Sequence, residues 1–264
     1  MGATESKPPP WCRSWGKFMG TTHDQGVCIR QWDFSETSQT VSLFGRSLGV
    51  VRGLAKGARR ERGAFDGGFD LLSRGEFSAI IKPNRDLATL TEWDLLEVFP
   101  RLRTDLIANQ TAFYMADLVG KMLQPEDPHP VLFDCFVDSL RTIGAARSSE
   151  EPPPDGAGSL LMFQSTLLAE TGYRPRITTN TLGDVLEFAP AVGGVLQVGE
   201  TTDGPRWKVR RGTIECIAAI DAKQPHNTAT ITVDRANRLL AAYTRHVLGA
   251  EPATMHAVFG KSSS

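Results

Sequence analysis

No window of this 264-residue chain holds eighteen consecutive apolar residues, so no stretch reads as a membrane span. The start is polar and proline-rich and does not resemble a secretory signal. The four cysteines, Cys12, Cys28, Cys135 and Cys216, lie far apart. That spacing supports neither a metal knuckle nor a disulfide framework, and a reduced, cytosolic protein is the simple expectation. Net charge is nearly absent, at −1. No acidic cluster has metal-ligand spacing; Asp66, Asp70 and Glu76 read as turn and strand-surface residues. Five scattered histidines suggest no Ser-His-Asp arrangement. Val258-Phe259-Gly260-Lys261-Ser262 resembles the end of a phosphate loop, but Met255 stands where the leading glycine belongs and no helical stretch follows. A nuclease or NTPase is thereby disfavoured, and metal-dependent cleavage or ATP turnover would reveal one.

What is present is ordinary globular material, 41% hydrophobic and 22% charged, organised around residues 29–62. Strand-like runs there, at Val27, Ile29 and Trp32, then Thr40 to Phe44, then Val50 to Leu54, are separated by tight turns. Glycines at 45, 49, 53 and 57 mark bends or close backbone approach. Two more runs, near Gly75–Lys82 and Leu87–Trp93, bring the total to about five short strands, which fits a small OB-fold barrel. The stretch is locally basic: Arg46, Arg52, Lys56, Arg59, Arg60 and Arg62 face one acid, Glu61. Lys82 extends the set beside the Pro83–Asp86 turn. Two readings stand side by side. The loop binds phosphate backbone, or it is a solvated run that keeps an edge strand from aggregating.

The fold class expected is α+β: a leader over 1–23, an OB-fold over 24–98, a mainly helical domain over 99–250 and a tail over 251–264. Met1-Gly2 with Ser6 matches a loose myristoylation pattern, and Met19 is an alternative start. Helical periodicity appears after Pro100, again after Pro130, and from Leu160 to a glycine cap at Gly172. Residues 173–212 read as irregular, with a short hairpin over 187–196. Trp207-Lys208-Val209-Arg210-Arg211 mixes an aromatic with three cations, which suits nucleic acid or a packed Trp beside a solvated turn. A last helix is expected from an N-cap at Asp234 to Gly249.

With these segments in order, the chain resembles the RecO family of bacterial recombination mediators. The resemblance is carried by Phe34-Ser35-Glu36-Thr37-Ser38, Leu54-Ala55-Lys56-Gly57-Ala58-Arg59-Arg60, Phe65-Asp66-Gly67 and Arg85-Asp86-Leu87-Ala88-Thr89-Leu90. Gly172-Tyr173-Arg174-Pro175 and Phe188-Ala189-Pro190 with Gly193-Gly194 continue it. It implies a non-enzymatic protein with an N-terminal OB-fold and a helical C-terminal domain. It further implies binding to single- and double-stranded DNA, strand annealing, and work with RecR and the tail of single-stranded-DNA-binding protein in a bacterial cytoplasm. A general OB-fold nucleic-acid module without mediator role is the alternative.

One departure stands out. Many members of that family carry a four-cysteine zinc site. The corresponding places here are Thr179, Leu182, Gln197 and Glu200, a poor donor set for zinc. No cofactor or metal is expected, and packing around Phe188, Val195 and Leu196 is expected to hold the segment instead.

Overall fold

The computed structural model describes residues 20–260 except 60–63, 67–68, 84, 147–154, 179–182 and 223–228. β1 (Thr21–Asp33), β2 (Gln39–Gly45) and β3 (Gly49–Ala55) form an antiparallel meander. β5 (Arg74–Ile80) pairs with β1, and β6 (Ala88–Glu97) pairs with β5. β6 also pairs in parallel with β3, at Gly53–Ala88 and Ala55–Leu90. The pairings of these five strands therefore return to their starting point in OB-fold order, with the short β4 (Phe65–Asp66) beside β6. Inward-facing Cys28, Val41, Leu43, Val51, Phe77, Leu90 and Trp93 fill the interior. Burial pushes the Cys28 thiol up to about 12.

A bulge in β1 decides what the outer surface shows. Cys28 pairs with Leu43 but Arg30 pairs with Ser42, so Ile29 is the extra residue. One inserted residue reverses the facing of everything after it. Val27 and Ile29 pack outward against the helices by ordinary alternation about the inward Cys28, and the bulge turns Arg30 to that same outer side, where it reaches Asp117 at 2.7 Å. Trp32 lies in β1, the strand the sequence suggests, with its side chain turned out to solvent and 49% exposed.

The helical part begins with α1 (Leu106–Met122), capped by the Asp105 carboxylate, which accepts from Ala108 N. α2 (Pro130–Gly144) and α3 (Gly156–Glu170) follow. Gly172 closes α3 with φ +81°, and Tyr173 N donates back to Leu168 O, the glycine-terminated cap the sequence suggests. Barrel and helices share one core: Val27, Phe44 and Val50 cluster with residues of α1 and α2, and Phe44 meets Phe133 edge-on at 5.5 Å. At the same seam Arg46 chelates Asp134 at 2.8 and 2.9 Å, and Arg141 and Arg74 converge on Glu97.

Residues 173–212 are more regular than the sequence suggests. β7 (Val185–Ala189) lies between β8 (Gly194–Val195) and β9 (Trp207–Arg210), and α4 (Arg211–Asp221) starts where an irregular end was expected. Phe188 stacks on Trp207 and meets Tyr243 edge-on, and Val195 is fully buried. α5 (Thr230–Leu248) begins four residues before the expected cap; Asp234 lies inside it and pairs with Arg238 at 2.9 Å. Its buried stripe outruns the polar signal, so packing sets the start. Gly249 ends it with φ +67°. α6 (Met255–Phe259) then folds back, burying Met255. A buried network, Tyr114 to Gln164 to Asn237, ties α1, α3 and α5 together. Among the described residues no helix is long and apolar enough to cross a membrane.

Candidate nucleic-acid interface

The end of β1, the start of β2 and the end of β3 meet at one end of the barrel, because Asp33 pairs with Gln39 and Gln39 with Ala55. The chain leaves β3 there into the basic loop. Ala58 is buried in the barrel core and anchors the loop's first turn. Lys56 and Arg59 are exposed. Arg59 N donates to Thr37 O at 3.3 Å, and the Arg59 guanidinium meets Asp33 at 3.0 Å. The loop is thus held against the β1–β2 turn. That turn carries Phe34, 64% exposed, next to the outward-facing Trp32. Two aromatic side chains and two cations share one end of the barrel. Such a surface offers stacking faces for unpaired bases and charge for the backbone beside them.

Of the other candidate residues, Arg60 and Arg62 lie outside the described residues. Arg52 is exposed on the outer face of β3, three residues before the strand's end and opposite Ser42. Lys82 is exposed where β5 ends, and Arg85 N donates to its carbonyl. That turn leads to Ala88, the partner of Gly53, so it runs out beside Arg52. Arg46 does not join the set. It precedes β3 while Lys56 follows it, so the two are separated by a seven-residue strand, about 23 Å at 3.3 Å per residue. Its charge is committed to Asp134, whose carboxyl it holds below the usual range.

Trp32 and Phe34 escaped the sequence reading. A Phe at the head of the polar run 35–38 was a usable signal; the facing of Trp32 depends on a bulge that no local pattern announces.

A Ser–His–carboxylate grouping does exist on the outer barrel face. Ser78 Oγ donates to Glu92 at 2.6 Å and meets His23 Nδ1 at 2.7 Å. The serine sits between imidazole and carboxylate and is buried. A nucleophilic triad needs the imidazole in the middle and the hydroxyl facing substrate, so this grouping is a cross-strand tie.

At the places the resemblance assigns to zinc, Thr179 and Leu182 lie outside the described residues. Glu200 is gripped by Arg176 at 2.6 and 2.8 Å and accepts from Gln197 N, so its carboxyl is held low. Gln197 Nε2 donates to Thr178 O. These side chains do not fit a zinc ion: thiolates are lacking and the one carboxylate already faces a guanidinium. Among the described residues no group of three or more His, Cys, Asp or Glu is placed to hold a metal.

Comparison with known proteins agrees with this geometry. The model "Recombination protein O N terminal" matches residues 19–99, and "Recombination protein O C terminal" matches residues 103–194. Similar chains include the DNA repair protein RecO of Rhodopirellula baltica, 35% identical over 153 residues, 56% of this chain and 53% of that one. The RecO of Desulfitobacterium hafniense is 29% identical over 184 residues, 67% and 64% of the two chains. That of Salinibacter ruber is 32% identical over 184 residues, 69% of each. The matches span between about half and two thirds of the length of these curated relatives.

Proposed function

The chain belongs to the RecO family of DNA repair proteins, and we propose that it is a non-enzymatic recombination mediator that grips DNA at the barrel end. In this reading residues 24–98 form the DNA-binding unit and 99–250 the helical domain. Lys56, Arg59, Arg60 and Arg62 hold phosphates, with Arg52 and Lys82 extending the face, and Trp32 and Phe34 stack on bases. The observation that carries it is the pair of exposed aromatics locked beside the basic loop on an OB-fold. Most of the grip falls on the backbone, which carries no sequence information. Neutralising charge on two strands lowers their mutual repulsion, and bases not engaged in stacking remain free to pair. The protein then anneals single strands, accepts duplex as well, and acts with RecR on DNA coated by single-stranded-DNA-binding protein so that recombinase loads. Its place of action is the bacterial cytoplasm, on the nucleoid.

The test is annealing of complementary oligonucleotides precoated with the cognate single-stranded-DNA-binding protein, without nucleotide or metal, at low and moderate salt. Acceleration that fades with salt is expected, and Lys56→Ala/Arg59→Ala/Arg60→Ala removes most of it. Unchanged binding in that variant takes the loop out of the mechanism. Tight single-strand binding without annealing leaves a plain OB-fold binding module.

A further inference from the structure

A second basic groove lies in the helical part, between β9 and α5. β9 alternates, with Lys208 and Arg210 exposed and Trp207 and Val209 half-buried. On α5, Arg235, Arg238 and Arg245 are separated by three and seven residues and so lie along one stripe. The stripe spans about 15 Å at 1.5 Å per residue. Between them is a cavity of about 420 Å³ with Val209, Leu239 and Ala242 among its lining groups. Arg210 and Arg235 also line an adjoining cavity of about 560 Å³, next to Arg211 and Thr213. The acids in reach are few. Asp234 pairs with Arg238 and Glu251 with Arg245, Glu187, the exposed cross-strand neighbour of Lys208, pairs with Arg206 at 3.6 Å, and Asp184 and Glu215 stand at the α4 end. No described carboxylate lies within ion-pair distance of the exposed Lys208, Arg210 or Arg235, unlike Arg46 and Arg176.

We infer that this groove holds the phosphate backbone of a second single strand of nucleic acid, separate from the one at the barrel loop. The inference rests on the DNA-binding reading above. Cations strung along two facing elements match a ligand whose charge recurs at every unit. An acidic peptide would be anchored by an apolar side chain in one socket, whereas here the apolar groups are interleaved with the cations. β9 and α5 pack on β7, α3 and α4, while the barrel is joined through α1 and α2, so the two grips do not share elements. Holding one strand in each is what annealing on a single molecule requires.

The test uses the full chain, a fluorescent ten-nucleotide oligo-dT at low salt, and three variants. These are the groove variant Lys208→Gln/Arg210→Gln/Arg235→Gln, its charge-keeping partner Lys208→Arg/Arg210→Lys/Arg235→Lys, and the loop variant Lys56→Ala/Arg59→Ala. The wild type binds two oligonucleotides per chain. The groove variant, with an unchanged circular dichroism spectrum, binds one, and the charge-keeping variant recovers the second. The second site's slope of log affinity against log salt amounts to about 2, from about 0.7 per neutralised phosphate on single strands. A groove variant that keeps both oligonucleotides overturns the inference. So does one that loses only a deca-glutamate peptide, which would mark a site for acidic protein. A wild type that binds a single oligonucleotide, lost in the loop variant alone, overturns the inference and leaves the function standing. A wild type that binds none overturns the proposed function itself.

Discussion

Truncating the two exposed aromatics separates stacking from charge at the barrel end. Phe34 is 64% and Trp32 49% exposed, so each has a large part of its ring free for a base. Stacking of a base on such a ring contributes about 1–3 kcal/mol by alanine substitution. Phe34→Ala is therefore expected to weaken single-strand affinity by about 5- to 150-fold, and Trp32→Ala comparably. Neither change alters charge, so the slope of log affinity against log salt stays put while the whole line drops. Lys56→Ala does the reverse, flattening the slope by about 0.7. Phe34 is so exposed that its loss changes stability by only about 0.5 kcal/mol or less, which keeps binding and folding effects apart. The assay is fluorescence anisotropy with oligo-dT at four salt concentrations. Trp32 fluorescence, quenched on binding if a base lies against it, reports the contact directly. If Phe34→Ala and Trp32→Ala leave the affinity unchanged, or flatten the salt slope, the stacking platform is refuted and the face is electrostatic only.

Gly49→Ala is expected to destabilise the fold by about 2–5 kcal/mol in urea titration. It combines a left-handed backbone at φ +69° with a methyl that would fall 2.3 Å from the Asp127 carbonyl oxygen. Gln164→Ala leaves Asn237 and Tyr114 without their partner in the core, costing about 2–4 kcal/mol by the same measurement. Glu97 is held below its ordinary value by Arg141 first and then Arg74. Its folded pKa is depressed, so its contribution is present above the unfolded value and lost as pH falls through the folded one. Acid denaturation curves should therefore show Glu97→Gln losing stability near neutral pH and converging with wild type below pH 4.5. Cys28, with its thiol pushed up to about 12 and fully buried, should resist a thiol reagent in the native state and react only on unfolding.

The parts legible in the sequence are those governed by local pattern. Five strands, the glycine-closed α3 and the apolar stripes of α1 and α2 follow from periodicity and from turn residues. The misses have non-local causes. Trp32 reads as a strand residue, and its facing follows from the bulge: unbroken alternation from the inward Cys28 would bring it inside four residues on, and the extra residue at Ile29 turns it out. The helix start at Thr230 rather than Asp234 follows from burial of Val233 against α3 and α4, which outweighs a good polar cap. α4 is short and follows directly on a strand, so its period never separates from its surroundings. Arg46 belongs by sequence to the basic run and by structure to Asp134, 88 residues away. Charge clustering along the chain shows where cations are dense, and only the fold shows which are already paired.

That distinction bears on how the molecule would work. Arg46, Arg30 and Arg74 serve the seam, where Gly49 lies against the backbone of Asp127 and Glu126 N donates to Val50 O. Backbone contacts, shared aromatics and charge-assisted bonds leave the barrel little freedom against α1 and α2. Among the described residues, the cations without a carboxylate in ion-pair reach include Arg52, Lys56 and Lys82 on the barrel and Lys208, Arg210 and Arg235 on the helical part, on either side of this fixed joint. On the proposed reading, a rigid joint sets the distance between two held strands and costs no ordering entropy when the second arrives. Loosening the seam should then slow annealing more than it weakens binding of either strand alone. Arg46→Ala with Glu97→Gln touches neither grip and isolates that effect, with annealing rate and single-strand affinity read side by side. Equal losses in both would mean that the joint only holds the fold together.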